Sequence, residues 1–513
     1  MVTLKMRRLI NNWSLSVFFL FILIKFLQFL RWLGIQSGED GWRKVTRVYL
    51  RTEQSKFVLG CFGLNFQTQN EEEIIKRLQE FLRGQPQTHW QLKWGHFSAR
   101  RVTKSNIDIV KAEFKEDGSL QFIHPYFDSF AKVDTQIFDQ IFQNTLAEGI
   151  INAYNNTRHL PDKKRPLILK KELKKWLLAQ LHSAPRNIRR EAIDYIQRVL
   201  SAIFIHFEEN KLWEGPFDMP VFIRHKHPGF GPFNIICRLS SSGNKTDLWI
   251  QSHHICIDGL PMQEILEELK AQWGGKNVLK FPTRSNINVN SPELCSTYDE
   301  RDGVYCVSKI VNFHPLLDMA AAMNKDHLSQ MERCITTLRL LVWKLGNHPL
   351  FSGKKFLIPV NIPPHNNLER TLGFVLIRPS EYFDKNDTKN GFIEFQREFN
   401  RQVKSTIMRK SESYELFASY ALLPAVIYTI VLKLMPAGIK EFVGSIGVSI
   451  INKSDVFMAP FSDVHTDGFI GISNFFTPTE DDKIGCFVSI KGPKNMVKNY
   501  LNAIEEIATL KTE

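Results

Sequence analysis

Apolar residues along this chain fall into two spacings, helical and alternating, and the two are interleaved from end to end. Helical spacing covers Glu71–Leu82, which opens on three acidic residues where a helix N-terminus favours negative charge. The same spacing predicts helices over Val133–Ile151, Ile188–Phe207, Pro261–Trp273, Leu328–Leu345 and Gly391–Met408. Runs rich in β-branched and aromatic residues predict strands over Phe233–Leu239 and Leu248–Ser252, with Ser240–Lys245 as the turn between them. Further strands are predicted over Lys355–Ile362, Thr371–Ile377, Phe442–Ile451, Gly468–Phe476 and Ile484–Lys491. The basic clusters Asp162–Arg165 and Lys170–Lys175 read as solvated surface.

Two stretches are too apolar for this scheme. Lys5, Arg7 and Arg8 precede the run Trp13–Ile24, and apolar character resumes after Lys25 as far as Leu33. A membrane span needs roughly 20 apolar residues, so Lys25, Gln28 and Arg31 must be tolerated. Their spacing of three puts them on one helical face, as in a helix that enters a bilayer and leaves along its interface with the cations snorkelling. Residues 1–45 are therefore expected to be a single N-terminal membrane anchor, with a buried or docked helix as the structural alternative. The second stretch, Tyr420–Met435, carries Pro424 and Lys433 and is short for a span, so a core helix is expected there.

Length then sets the number of units. At 513 residues the chain exceeds a single small core. Residues 276–305, rich in Asn, Ser and Pro, read as a crossover between a first unit at 46–275 and a second at 306–513. Leu248–Ser252 followed by a helix through Trp273 is echoed by Ile484–Pro493 followed by a helix to about Ile507. Pro261 and Pro493 both stand where a helix begins, a position that needs no amide donor.

Composition changes the picture little. Apolar residues make up 43% and charged residues 23%, which is ordinary for a globular protein. The net charge of +13 reads as a basic surface with no specific partner or, functionally, as one suited to an anionic membrane surface or a phosphorylated cofactor. No nucleic-acid-binding motif accompanies it, so no nucleic-acid partner is expected. The seven cysteines are scattered and form no Cys-x-x-Cys pair, which gives neither a zinc module nor a disulfide framework.

Candidate chemistry concentrates in His253-His254-Ile255-Cys256-Ile257-Asp258-Gly259, between a predicted strand and a predicted helix. An imidazole near its reference pKa can take and return a proton at neutral pH. Asp258 would hold or brace the loop, and Gly259 permits the sharp turn into the helix. Adjacent residues on a strand face opposite ways, so His253 and His254 would not readily share a metal with Asp258, and no metal is expected. His253 and Asp258 also match the His-x4-Asp spacing of glycerol-phosphate-type acyltransferases. The Pro-Glu-Gly-Thr block those enzymes need is absent, the nearest segment being Phe281-Pro282-Thr283-Arg284.

Gln251-Ser252-His253-His254-Ile255-Cys256-Ile257-Asp258-Gly259 and the helix after it resemble the chloramphenicol acetyltransferase-like superfamily of CoA-dependent acyltransferases. The resemblance implies an α/β (α+β) two-layer sandwich, and a motif halfway along the chain implies the two-subdomain branch. Peptide-synthetase condensation domains and wax ester synthase/diacylglycerol acyltransferases belong there, as monomers whose halves form a pseudo-dimer. Phe356–Asn361 followed by Leu372-Gly373-Phe374 is similar to part of the second half. Phe374 stands where wax ester synthases commonly carry Asn, and the usual Asn-Val-Pro-Gly-Pro stretch is absent.

The resemblance assigns the general base to His254, a supporting place to His253 and a structural role to Asp258, bracing the loop through an arginine that the sequence does not identify. Ser473 and Asn474 are candidates for oxyanion or substrate contact. The expected reaction moves an acyl group from acyl-CoA, as co-substrate with no bound cofactor, to a hydroxyl or amine of a lipidic acceptor. The catalytic part is expected on the cytoplasmic side of the membrane. A non-catalytic lipid-binding or scaffold protein and a carrier-protein-dependent condensation enzyme are the alternatives.

Overall fold

The computed structural model describes residues 13–35, 56–64, 70–92, 99–101, 107–115, 117–127, 143–160, 165–183, 185–209, 233–239, 246–253, 259–273, 276–277, 294–299, 304–323, 330–362, 371–383, 387–420, 422, 445–451, 458–461, 468–473 and 485–509. In chain order the first half carries helix α1 (Trp13–Trp32), strand β1 (Lys56–Leu64), helix α2 (Glu71–Gly84) and a small ribbon, β2 (Trp90–Leu92) with β3 (Ala99–Arg101). It continues with β4 (Ile109–Phe114), β5 (Leu120–Tyr126), α3 (Gln143–Thr157), α4 (Arg165–Gln180), α5 (Arg186–Ser201) and β6 (Ile203–Glu209). Strands β7 (Phe233–Leu239) and β8 (Thr246–His253), helix α6 (Gly259–Gln272) and the two-residue β9 (Lys276–Asn277) complete it.

The second half carries β10 (Leu294–Asp299), β11 (Val304–Asn312), α7 (His314–Met323), α8 (Gln330–Asn347), β12 (Phe356–Ile362) and β13 (Thr371–Ile377). After these come α9 (Thr388–Ile407), α10 (Glu412–Tyr420), β14 (Ile446–Ile451), β15 (Met458–Phe461), β16 (Gly468–Ser473), β17 (Gly485–Pro493) and α11 (Lys494–Thr509).

These strands build two sheets with one plan. The first runs β1-β8-β7-β6-β4-β5 and the second β11-β17-β16-β14-β12-β13. In the first, β4 pairs antiparallel with β5 and parallel with β6, β6 is parallel to β7, and β7–β8 and β8–β1 are antiparallel. In the second, β12 pairs antiparallel with β13 and parallel with β14, β14 is parallel to β16, and β16–β17 and β17–β11 are antiparallel. Order and direction agree strand for strand, and β8–α6 and β17–α11 hold equivalent positions. The resulting fold is mixed α/β with two sheets. Among the described residues one element breaks the separation: β15, from the second half, joins the first sheet on the side of β1 away from β8, a side it shares with β9.

Local chemistry explains the elements. Helix α2 starts at Asn70, whose side-chain oxygen accepts from the Glu72 amide at 3.0 Å. Its Ile74, Ile75, Leu78 and Leu82 pack with Ile265, Leu266 and Leu269 of α6 over one face of the first sheet, against Ile109, Ile203, Ile205, Ile235, Leu248 and Ile250. The opposite face, with Val110, Ala112 and Phe204, meets α3, α4 and α5. Asp108 ties this layer together, its buried carboxylate accepting from Arg198 Nε at 2.5 Å and Nη2 at 2.9 Å across to α5. The second sheet packs Ile358, Val375, Val448, Ile470, Val488 and Ile490 against Leu341 of α8 and Tyr500 and Ile504 of α11.

Several expectations are corrected. The helix expected over Ile188–Phe207 ends at Ser201, and Ile203–Glu209 is strand β6. Ile203, Phe204, Ile205 and Phe207 are all buried, because β6 lies between two parallel neighbours and is covered on both faces. A continuous apolar run then carries no alternation to betray the strand. The stretch expected as an irregular crossover, 276–305, contains β9 and β10, which pair with β1 and β11. Within Val133–Ile151 the described helix begins at Gln143, and residues 128–142 lie outside the described residues. The run Tyr420–Met435 also lies outside them, apart from Tyr420 at the end of α10 and Leu422.

The N-terminal anchor is corrected most. Among the described residues no helix is long and apolar enough to cross a membrane. Helix α1 instead docks on the fold: Leu20, Ile24 and Leu27, at 0%, 6% and 2% exposure, join a cluster with Tyr195 and Leu200 of the first half and Leu357 and Phe374 of the second. Residues 20, 24 and 27 share one helical face, the spacing of a docked helix. Helix α10 lies alongside, and Arg31 Nη2 reaches Glu415 Oε1 at 3.5 Å. Phe374 therefore has a packing role here, as a buried member of the cluster that receives α1. Beside it Gly373 is required by close approach: a Cβ would lie 2.8 Å from Ile362 Cδ1 and closer still to Thr406 Cγ2 of α9.

Candidate active site

The motif is framed by two anchored elements. Strand β8 ends on His253, and α6 begins on Gly259. β8 is an interior strand, paired with β1 on one side and β7 on the other. Leu248 and Ile250 of β8 and Ile265, Leu266 and Leu269 of α6 are buried in one cluster. Five residues, 254–258, connect these ends.

Of the candidate residues, His253 is placed by its backbone as the last residue of β8, opposite Lys56 of β1. Gly259 is placed as the first residue of α6. His254 and Asp258 lie outside the described residues. By sequence Asp258 immediately precedes the first residue of α6, where a carboxylate suits the helix N-terminus. Ser473 is placed as the last residue of β16, opposite Phe487 of β17 and Ile451 of β14, and Asn474 lies outside the described residues.

Sequence reasoning missed the strand that reaches this region from the second half. Lys56 pairs with His253 on one side and with Phe461 of β15 on the other. At about 4.8 Å between neighbouring strands, β15 runs about 10 Å from the end of β8. Both are antiparallel to β1, so β15 and β8 point the same way and the chain leaves Phe461 and His253 at the same end of the sheet. β15 also lies against β16, the strand that ends on Ser473. The run Met458-Ala459-Pro460-Phe461 is apolar, but four residues carry no signal of a partner strand more than 390 positions away.

One described reactive group beside the frame is structural. Cys237 of β7 is fully buried, and burial pushes its thiol far above the range of a reactive cysteine. Among the described residues no group of three or more His, Cys, Asp or Glu side chains could hold a metal ion.

No family model matches the chain, and no curated protein matches it either. Solved structures similar to it include a trichothecene 15-O-acetyltransferase from Fusarium sporotrichioides, at 9% identity and a TM-score of 0.43, covering 92% of this chain and 94% of that one. The first condensation domain of the CDA synthetase is similar at 11% identity and a TM-score of 0.38, over 88% and 90% of the two chains. The epimerization domain from the third module of tyrocidine synthetase B is similar at 9% identity and a TM-score of 0.38, over 90% and 91%. Scores at this level leave the case for the fold to the repeated strand order.

Proposed function

We propose that this protein is an acyltransferase that moves an acyl group from an acyl thioester, acyl-CoA, to a hydroxyl or amine of a lipidic acceptor at a membrane surface. The observation that carries the reading is the frame of the motif. His-His-x-x-x-Asp-Gly fills the connection between an interior strand and its packed helix, at the end of the sheet to which the second half contributes β15. The repeated strand order supports two subdomains facing each other, at 46–275 and 306–513 with 276–305 between them.

In this mechanism His254 accepts the proton of the acceptor hydroxyl through a free ring nitrogen. The hydroxyl oxygen forms a bond to the thioester carbonyl carbon. The tetrahedral oxyanion collapses, the carbon–sulfur bond breaks, and the departing CoA thiolate takes the proton back from His254. His253 and Asp258 hold the loop in place. Ser473, the last residue of β16, and Asn474, which follows it in sequence, are the residues proposed to meet the oxyanion or substrate from the second half.

The test is a donor competition with product analysis. Purified protein is given acyl-CoA or an acylated phosphopantetheinyl carrier protein, with lipid extract as acceptor, and products are read by mass spectrometry. The reading expects new acylated lipid and free CoA from the CoA donor. Product from the carrier donor alone would assign a condensation-type enzyme, and saturable lipid binding with no product from either would assign a non-catalytic protein.

A further inference from the structure

We infer that the outer face of α1 is an in-plane docking surface for an anionic phospholipid membrane. The inference deepens the membrane-association part of the reading above and rests on that part alone, not on the acyl-transfer chemistry.

Helix α1 is apolar on most of its circumference, interrupted by Lys25, Gln28 and Arg31, but only one side joins the core of the fold. Its other side leaves Phe18, Phe19, Phe21, Phe26, Phe29 and Trp32 between 46% and 78% exposed. At ~150–250 Å² per aromatic side chain, these six leave on the order of 700 Å² of apolar surface open. The largest apolar patch on an ordinary monomer is about 300–600 Å². Of the fifteen large hydrophobics that are exposed among the described residues, nine fall within 18–35. The patch is thus concentrated on one helix, and that helix is fixed by its inner face.

Charge identifies the occupant. Lys25 is exposed at the middle of the outer face, with Nζ 5.5 Å from the centre of the Phe21 ring. The four-carbon stem of Lys25 lets its ammonium snorkel past the flanking rings to lipid phosphates while the rings enter the headgroup boundary. In sequence, α10 is preceded by Ile407 and Met408, both exposed, and then by Arg409 and Lys410. This apolar step with two cations comes just before the helix whose Glu415 meets Arg31 of α1. A second copy of the chain fits less well. Two such helices crossing about a two-fold axis would bring Lys25 onto its own symmetry mate, because position 25 is the midpoint of 18–32, and would bury like charges together.

The experiment floats the full-length protein with vesicles of phosphatidylcholine alone or mixed with phosphatidylserine. A triple variant, Phe26→Ser with Phe29→Ser and Trp32→Ser, and a single variant, Lys25→Glu, are compared with wild type. We expect wild type to bind both vesicles and prefer the anionic ones, the triple variant to lose at least tenfold in binding, and Lys25→Glu to lose the anionic preference. Circular dichroism and the melting temperature should be unchanged, since all four side chains are exposed. Undiminished binding by the triple variant overturns the inference, as does wild type that ignores vesicles and self-associates through this face. Turnover on a short-chain, water-soluble acceptor is measured in parallel. Loss of vesicle binding with turnover intact confirms a docking role, while vesicle binding with no turnover in wild type upholds this surface and overturns the acyl-transfer reading.

Discussion

Leu27 and Phe26 are neighbours on α1 that differ in one respect: Leu27 is 2% exposed in the cluster shared by both halves, and Phe26 is 55% exposed. If α1 is part of the fold, Leu27→Ala must destabilise the whole protein. Truncating a fully buried leucine costs about 2–5 kcal/mol, because the lost transfer energy is joined by a cavity that collapses only partly. A value near 3 kcal/mol is expected here, since Leu27 is almost fully buried in a cluster that includes residues of both halves. An unfolding entropy of about 2.1 cal/mol/K per residue gives about 1 kcal/mol per degree for a chain of this length. Leu27→Ala should therefore lower the melting temperature by about 3 °C. Phe26→Ala removes a larger side chain from an exposed position and should change stability by no more than about 0.5 kcal/mol. Scanning calorimetry of the full-length protein in mild detergent reads both. Equal, negligible shifts from the two substitutions would refute the docked helix and restore an independent tether.

Three further outcomes follow from the same geometry. Arg198→Ala leaves the buried Asp108 carboxylate without its bidentate partner and should cost about 3 kcal/mol, read as a shift of the urea midpoint. Burial pulls the Lys111 ammonium down, but Glu71 at 2.6 Å and Glu113 at 3.5 Å outweigh it and hold its pKa above the ordinary 10.5. That contribution, about 1 kcal/mol for a half-buried pair, is complete below 10.5 and fades as pH climbs through the raised folded value; Glu71→Gln should lower the urea midpoint at pH 8 and flatten its decline above pH 10.5. Gly373→Ala places a methyl group against Ile362 and Thr406 and should cost about 1–3 kcal/mol by overpacking, a loss that the further substitution Thr406→Ser, which removes Cγ2, should partly recover.

Much of this fold was legible where the pattern was unambiguous. Thr371–Ile377 has the bounds its composition predicts, and α2 differs from Glu71–Leu82 by two residues at one end, because its cap and its apolar face agree. The echo between the two strand–helix units was visible too, and the matched strand order of the sheets now gives it a structural setting. What failed did so for physical reasons. β6 was hidden because a strand buried on both faces looks like the end of the helix before it. α1 was misread because an apolar helix with one face in a protein core and the other face open has the same composition as a membrane span. β15 could not be found, since its meaning lies in a pairing with β1 that local sequence does not encode. At the candidate site the motif gave the residues, and the strand and helix that hold it fell where its flanking pattern put them. The neighbouring strand from the second half came from the sheet register alone.

The role of His254 is the central claim, and acyl-CoA turnover tests it most directly. Free thiol released from acyl-CoA in the presence of a hydroxylated lipid acceptor is followed for wild type and His254→Ala. Removing a general base costs about 10²–10⁴-fold, so His254→Ala should retain no more than about one per cent of the wild-type rate. Circular dichroism and the melting temperature, read alongside, show that the variant is folded as wild type is. Wild-type thiol release from a correctly folded His254→Ala protein would contradict the account.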